Sequence, residues 1–188
     1  MSRREVEQAS KSARLSQVEL LSGADATVDN VVDALNRSPN IIHFATHIVA
    51  PPGHPEEAAV ALTLNQNDLP ELLTRETIAS LRLPSSLVVL SGCSSGQGRT
   101  VPAAGLIGLS RAWLLAGASA VVVSDWPTPD DSGLFFSNFY SFFSELNSGS
   151  IAQRAAVALG RTQLVMARGG GYGSSPHLWG AYTLVARE

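Results

Sequence analysis

The stretch LVVLSGCSSG, residues 87–96, joins four consecutive apolar residues to a run of small polar ones, with Pro84 shortly before it. A strand with one face in water alternates apolar and polar residues; a continuous apolar run needs cover on both faces, which a parallel sheet between two layers of helices supplies. Two other runs have the same character, IIHFAT at 41–46 and AVVV at 120–123. Segments with helical periodicity separate the three runs. The fold class this predicts is α/β, with a mostly parallel central sheet and helices on both sides.

Working outward, Arg3 to Arg14 reads as a polar helix and Val18 to Leu21 as a short strand. Val28, Val31, Val32 and Leu35 share one face of a helix over Val28 to Asn36, with Asp25 or Thr27 as its cap and Ser38-Pro39 as its stop. Three prolines and a glycine make Ile48 to Glu57 a predicted loop. Ala59 to Leu64 reads as a strand, and Thr74 caps a helix running to about Leu81. An apolar helix follows from Ala103 to Ala116. An aromatic helix over Leu134 to Leu146 starts from Asp130 or Asp131, a further helix covers Ile151 to Ala167, and Leu178 to Val185 closes the chain as a strand.

With 188 residues, 45% hydrophobic and 15% charged, the chain predicts a single domain over 1–188 with a full core. A net charge of -3 offers no basic surplus for phosphates, so nucleic acid is not expected as a direct ligand. No apolar run reaches the length of a membrane span, and the amino end is polar; the sequence predicts a soluble, cytoplasmic protein with no membrane partner. The single cysteine forms no intrachain disulfide and no cysteine-rich zinc site, and neither metal nor cofactor is expected.

In open parallel sheets, ligands gather in the crevice at the carboxyl ends of the strands. His47 follows one predicted strand and Cys93 another, so neighbouring strands would bring them together. A lone cysteine is by itself more often a small buried hydrophobe. Here Ser91-Gly92-Cys93-Ser94-Ser95-Gly96 surrounds it with small polar residues at a strand end, which exposes sulfur and frees backbone N–H groups for an anion. A neighbouring imidazolium lowers a thiol pKa and makes the thiolate the reactive form.

His43 and His47 lie on one strand face but ~13 Å apart, too far to share a metal. His43 reads as a hydrogen-bonded core residue, His54 as an exposed loop residue, and His177 as structural, beside the last strand. A competing pattern is Gly92-Cys93-Ser94-Ser95-Gly96, which fits a serine nucleophile elbow with Asp130 and His177 following in hydrolase order. That elbow needs a helix directly after the serine, whereas Gly96, Gly98 and Pro102 delay the next helix to Ala103.

Four blocks, IIHFATH at 41–47, LVVLSGCSSG at 87–96, GLIGLSRAWLLAGASAVVVSDW at 105–126 and PHLWGAYTLVARE at 176–188, resemble the CHAT family, the bacterial branch of caspase-like peptidases often found behind helical repeat domains. Weaker similarity runs through LLSGADAT at 20–27 and LTRETIASLRL at 73–83. The resemblance implies a caspase-like three-layer α/β/α sandwich and a cysteine endopeptidase acting on a protein substrate, with Cys93 as nucleophile and His47 as base. It further implies an oxyanion hole from the backbone N–H groups of Ile48 and Cys93, and a role in bacterial (antiviral) defence or regulated cell death. Asp125, Trp126 and Asp130 follow the 120–123 strand on the same sheet edge and are the candidate substrate-binding residues.

Two departures stand out against the family. Ile48 replaces the glycine usual after the histidine, and a β-branched residue tolerates positive φ poorly, so a catalytically degenerate binding module is the alternative. The chain also begins within the first helix, without the strand that ordinarily precedes it. A strand from a partner chain, a rearranged amino-terminal segment or a second copy is therefore expected beside Ile41 to Thr46, unless Val18 to Leu21 pairs there directly.

Overall fold

The three continuous apolar runs do become neighbouring parallel strands. The computed structural model describes residues 3–12, 17–91, 103–126, 128, 133–170 and 174–187, so Cys93, Ser94, Asp130 and Asp131 lie outside the described residues. In chain order the elements are α1 (Arg3–Ser12), α2 (Val28–Asn36), β1 (Ile41–Phe44), β2 (Ile48–Val49), β3 (Ala59–Leu64), β4 (Pro70–Leu73), α3 (Arg75–Ser80), β5 (Leu87–Leu90), α4 (Ala103–Leu115), β6 (Ala120–Ser124), α5 (Gly133–Glu145), α6 (Ile151–Arg168), α7 (Pro176–Trp179) and β7 (Tyr182–Ala186). The main sheet has the order β1-β5-β6-β7, with β7 antiparallel and the other pairs parallel. Ile41, Leu87 and Ala120 lie side by side across it.

Alternate residues of β5 and β6 feed two cores. Leu87, Val89, Ala120 and Val122 meet the aromatic face of α5 (Phe135, Phe136, Phe139) and the alanines of α6. Val88, Leu90, Val121 and Val123 meet Trp113 and Leu109 of α4, Ile78 of α3 and Leu35 of α2. This is the three-layer α/β/α arrangement. Each large apolar side chain so buried contributes roughly 1.5–3 kcal/mol relative to exposure. Thr27, Thr74 and Ser150 cap α2, α3 and α6 by accepting from the N–H groups of Asn30, Thr77 and Gln153, and Gln153 completes a capping box with Ser150.

A second, antiparallel sheet has the order β2-β3-β4. The expected loop over Ile48 to Glu57 thus begins as a strand: Ile48 and Val49 pair with Val60 and Ala59 before Pro51 and Pro52 remove two donors and end it. A 3-10 turn, Pro55–Glu57, follows in the same segment. β4 carries Pro70 at its first position, where a missing N–H is tolerated. The closing strand starts at Tyr182 rather than Leu178, because Ser175-Pro176 initiates the short helix α7.

The expected strand at Val18 to Leu21 does not form, and it does not pair with β1. Val18 is 53% exposed, and Glu19 accepts a hydrogen bond from Arg37, the residue just after α2, rather than joining a ladder. Within that run, Leu21 packs against the core. Among the described residues, β1 is the outer strand of its sheet.

Two glycines offer opposite tests of this framework. Gly117 turns the chain out of α4 at φ 109°, and a Cβ there would stand 3.1 Å from the Leu83 carbonyl oxygen. Gly160 lies inside α6 with open space where a Cβ would go. Gly117→Ala should lower stability by roughly 1–3 kcal/mol, and Gly160→Ala should raise it by about 0.5–1 kcal/mol. Urea midpoints of the two variants, moving in opposite directions from the parent, check both values.

Candidate active site

The chain leaves β1 at Phe44 and is caught at once by β3. Thr46 Oγ1 donates to the Ala61 carbonyl, and the His47 carbonyl accepts from the Ala61 N–H at 2.8 Å. His47 therefore sits at the junction of the two sheets, half-buried, with its backbone tied to a strand that is itself part of the core. The bond from Ala61 to His47 makes Ile48 and Val60 a non-hydrogen-bonded pair of the β2–β3 ladder. The N–H and C=O of Ile48 consequently point away from β3.

Among the described non-glycine residues, positive φ occurs at Ser38, Asp68 and Ser85. Ile48 is ordinary strand backbone and does not take the positive φ open to a glycine. A β-branched residue suits this position because its side chain is buried in the core beside Val60.

β1 and β5 are adjacent and parallel, and adjacent strands lie about 4.7–4.9 Å apart, so the two strands finish at the same end of the sheet. Ser91 is the last described residue of the segment leaving β5. Its N–H donates to the Phe44 carbonyl at 3.0 Å, which prolongs the β1–β5 ladder one step beyond the strand. Cys93, two positions on, and the competing Ser94 fall outside the described residues.

His43 is the core histidine the sequence predicts. Its Nε2 lies 2.8 Å from Ser91 Oγ and its Nδ1 3.0 Å from the Tyr140 hydroxyl. Phe136 meets the ring edge-on at 4.9 Å between centroids. Desolvation of the enclosed ring pulls the imidazole pKa from 6.5 down to about 3, so it stays neutral through the physiological range. Tyr140 was not singled out by sequence, although the periodicity of α5 places it one turn after Phe136 on the buried face, where a tyrosine hydroxyl needs a partner.

At the far side of the same sheet end, Asp125 follows β6. Its N–H donates to the Ala181 carbonyl, and its carboxylate accepts from Thr183 Oγ1 at 3.3 Å. Trp126 donates its indole N–H to the His177 carbonyl at 2.9 Å, and the two rings stack at 6.3 Å. His177 is thus joined to Trp126 on α7. Asp130 lies outside the described residues. His54 is exposed, as the sequence predicts, and bonds Glu56 at 3.0 Å. Asp125 and Trp126 share an end of the sheet with His47, with β5 between them.

A CHAT domain model matches residues 1–187. The chain belongs to the CHAT family. Tetratricopeptide repeat protein 28 of Mus musculus is 32% identical over 89% of this chain, and the human protein of the same name gives the same figures. The chain spans 8% of the length of these two relatives. CHAT domains are caspase-like, and the three-layer sandwich agrees with that membership. No helix among the described residues is long and apolar enough to cross a membrane.

Neutral His43 makes the CHAT domain's stability depend on pH in a defined direction. Its folded pKa lies below its unfolded value, so the unfolded chain takes up the proton first. The stabilisation is complete above about pH 6.5 and is lost as pH falls from there towards about 3. The slope due to this residue is at most ~1.4 kcal/mol per pH unit. Urea unfolding across this window should show a shallower pH slope for His43→Phe than for the parent; parallel slopes would mean that the ring protonates freely in the fold.

Proposed function

We propose that this CHAT domain is a cysteine endopeptidase in which Cys93 is the nucleophile and His47 the base, acting on a peptide bond of a protein substrate. The observation that carries this reading is the pairing of β1 with β5, which sends the segments bearing the two residues out of the same end of the sheet. The Cys93 thiolate attacks the scissile carbonyl carbon, and the oxyanion formed is held by the N–H groups of Ile48 and Cys93. The orientation of Ile48 away from β3 supports that assignment, since it leaves this N–H outside the β2–β3 ladder. His47 in its protonated form gives a proton to the leaving amine, then takes one from the water that hydrolyses the thioester, releasing the acid and restoring the thiolate.

Asp125, Trp126 and Asp130 read the substrate side chain before the scissile bond in this scheme. A strand from a second chain or a second copy beside β1, the outer strand among the described residues, belongs to the same proposal. A bacterial, cytoplasmic setting in defence or cell death is drawn from the family resemblance alone; both relatives named above are mammalian.

The nucleophile is tested by activity profiling with a thiol-reactive peptide probe and by turnover. Cys93→Ala should abolish labelling and lower turnover by roughly 10⁴-fold or more, while Ser94→Ala retains most of both. A dead Ser94→Ala beside an active Cys93→Ala would make the enzyme a serine hydrolase, and a parent with no turnover would make the domain a binding module. In a peptide library, substrates with aspartate before the cut should be poor and neutral or basic ones accepted, because Asp125 repels a like charge. Efficient cleavage after aspartate would remove Asp125 and Asp130 from the pocket.

A further inference from the structure

Ser91 is held twice at the exit of β5. Its N–H is bound to β1 through the Phe44 carbonyl at 3.0 Å, and its hydroxyl meets His43 Nε2 at 2.8 Å. The other ring nitrogen of His43 reaches the Tyr140 hydroxyl at 3.0 Å, and Tyr140 is 2% exposed within α5. These contacts form a polar bridge from the helical layer, through an imidazole, to the residue two positions before Cys93. A neutral imidazole has one N–H and one lone pair, so one hydroxyl donates to it and the other accepts from it; the bridge has a direction. Phe136 against the ring edge restricts the ring's tilt.

A partly buried polar bridge of this kind stabilises less than apolar packing of equal volume, but it fixes geometry more sharply, because hydrogen bonds are directional where apolar contact is not. The geometry it fixes is the point where the chain departs from β5. We propose that His43 is a positioning residue for the nucleophile segment: anchored on Tyr140, it holds Ser91 and so sets the path along which the chain proceeds to Cys93. This inference rests on Cys93 being the nucleophile. In this scheme His43 acts through Ser91. Its neutrality across the working pH range keeps the bridge in place while the catalytic groups change protonation state.

Cys93 is the single cysteine of the chain, so its alkylation by iodoacetamide reports the nucleophile directly, without any peptidase substrate. The test follows alkylation rate against pH, together with kcat and KM, in the whole chain for Ser91→Ala, His43→Leu, His43→Gln, Tyr140→Phe and His47→Ala. Ser91→Ala and His43→Leu should each lower kcat by about tenfold or more with KM within about twofold, since small misplacements of a reacting group weigh on kcat. Both should also slow Cys93 alkylation at neutral pH and shift its pH profile. The double variant should be no worse than either single one, because both remove the same contact.

His43→Gln, whose amide can still reach Ser91, should recover part of the loss, and Tyr140→Phe should fall between it and the parent. Should His43→Leu fail to fold, Ser91→Ala, which deletes one oxygen, carries the test. Variants that melt at lower temperature yet keep the parent's kcat and alkylation profile would overturn the inference and leave His43 a core residue only. If His47→Ala alters turnover and alkylation while Ser91→Ala and His43→Leu do not, the dyad stands and this inference falls. If His47→Ala also leaves the alkylation profile unchanged, the dyad itself is wrong, and the His43 inference falls with it.

Discussion

β5 has no face towards water. All four of its residues are at most 1% exposed, and it pairs with a strand on each edge. A strand enclosed in this way leaves polar chemistry a place at its ends only, because a polar side chain along its length would lose its water without a partner. The enclosure also requires a helical layer above and below, and a helix covering a parallel sheet must return the chain to the starting edge. The layers, the connections and the site of any reaction thus descend from one constraint.

Enclosed apolar runs are also what a sequence displays most openly. β1, β5 and β6 could be read from composition along the chain, as short apolar runs, of which β5 and β6 are buried throughout. α2 was legible from periodicity and from Thr27, whose side chain accepts from the first turn. β2 and β4 were not, being two and four residues long and flanked by proline. Their strand character comes from pairing with β3 on either side of it, which supplies the ladder that such short segments cannot announce by alternation. The apolar run at Val18 to Leu21 misled for the opposite reason. Its residues favour a strand, but Glu19 is held by Arg37 and the run has no neighbour to extend.

The candidate site divides along similar lines. His47, Cys93, Asp125 and Trp126 were singled out as candidates because strand ends are visible in sequence and ligands collect there. The partners of His43 were not, since Tyr140 lies nearly a hundred positions away and reaches the ring through the interior. Side chains that meet across a core leave at most a faint periodic trace. Tyr140 leaves such a trace, a polar tip on an otherwise phenylalanine-rich buried face.

His47 is placed by main-chain groups. The atoms that hold its backbone to β3 are the amide hydrogen and carbonyl oxygen of residue 61, the latter accepting from the Thr46 hydroxyl. Main-chain bonds are blind to side-chain identity, so β3 can drift through many apolar residues at position 61 without moving the histidine. That freedom suits a family in which this chain and the relatives named above differ at about two aligned positions in three. Proline alone among the replacements would break the attachment, because it takes away the amide hydrogen on which His47 hangs.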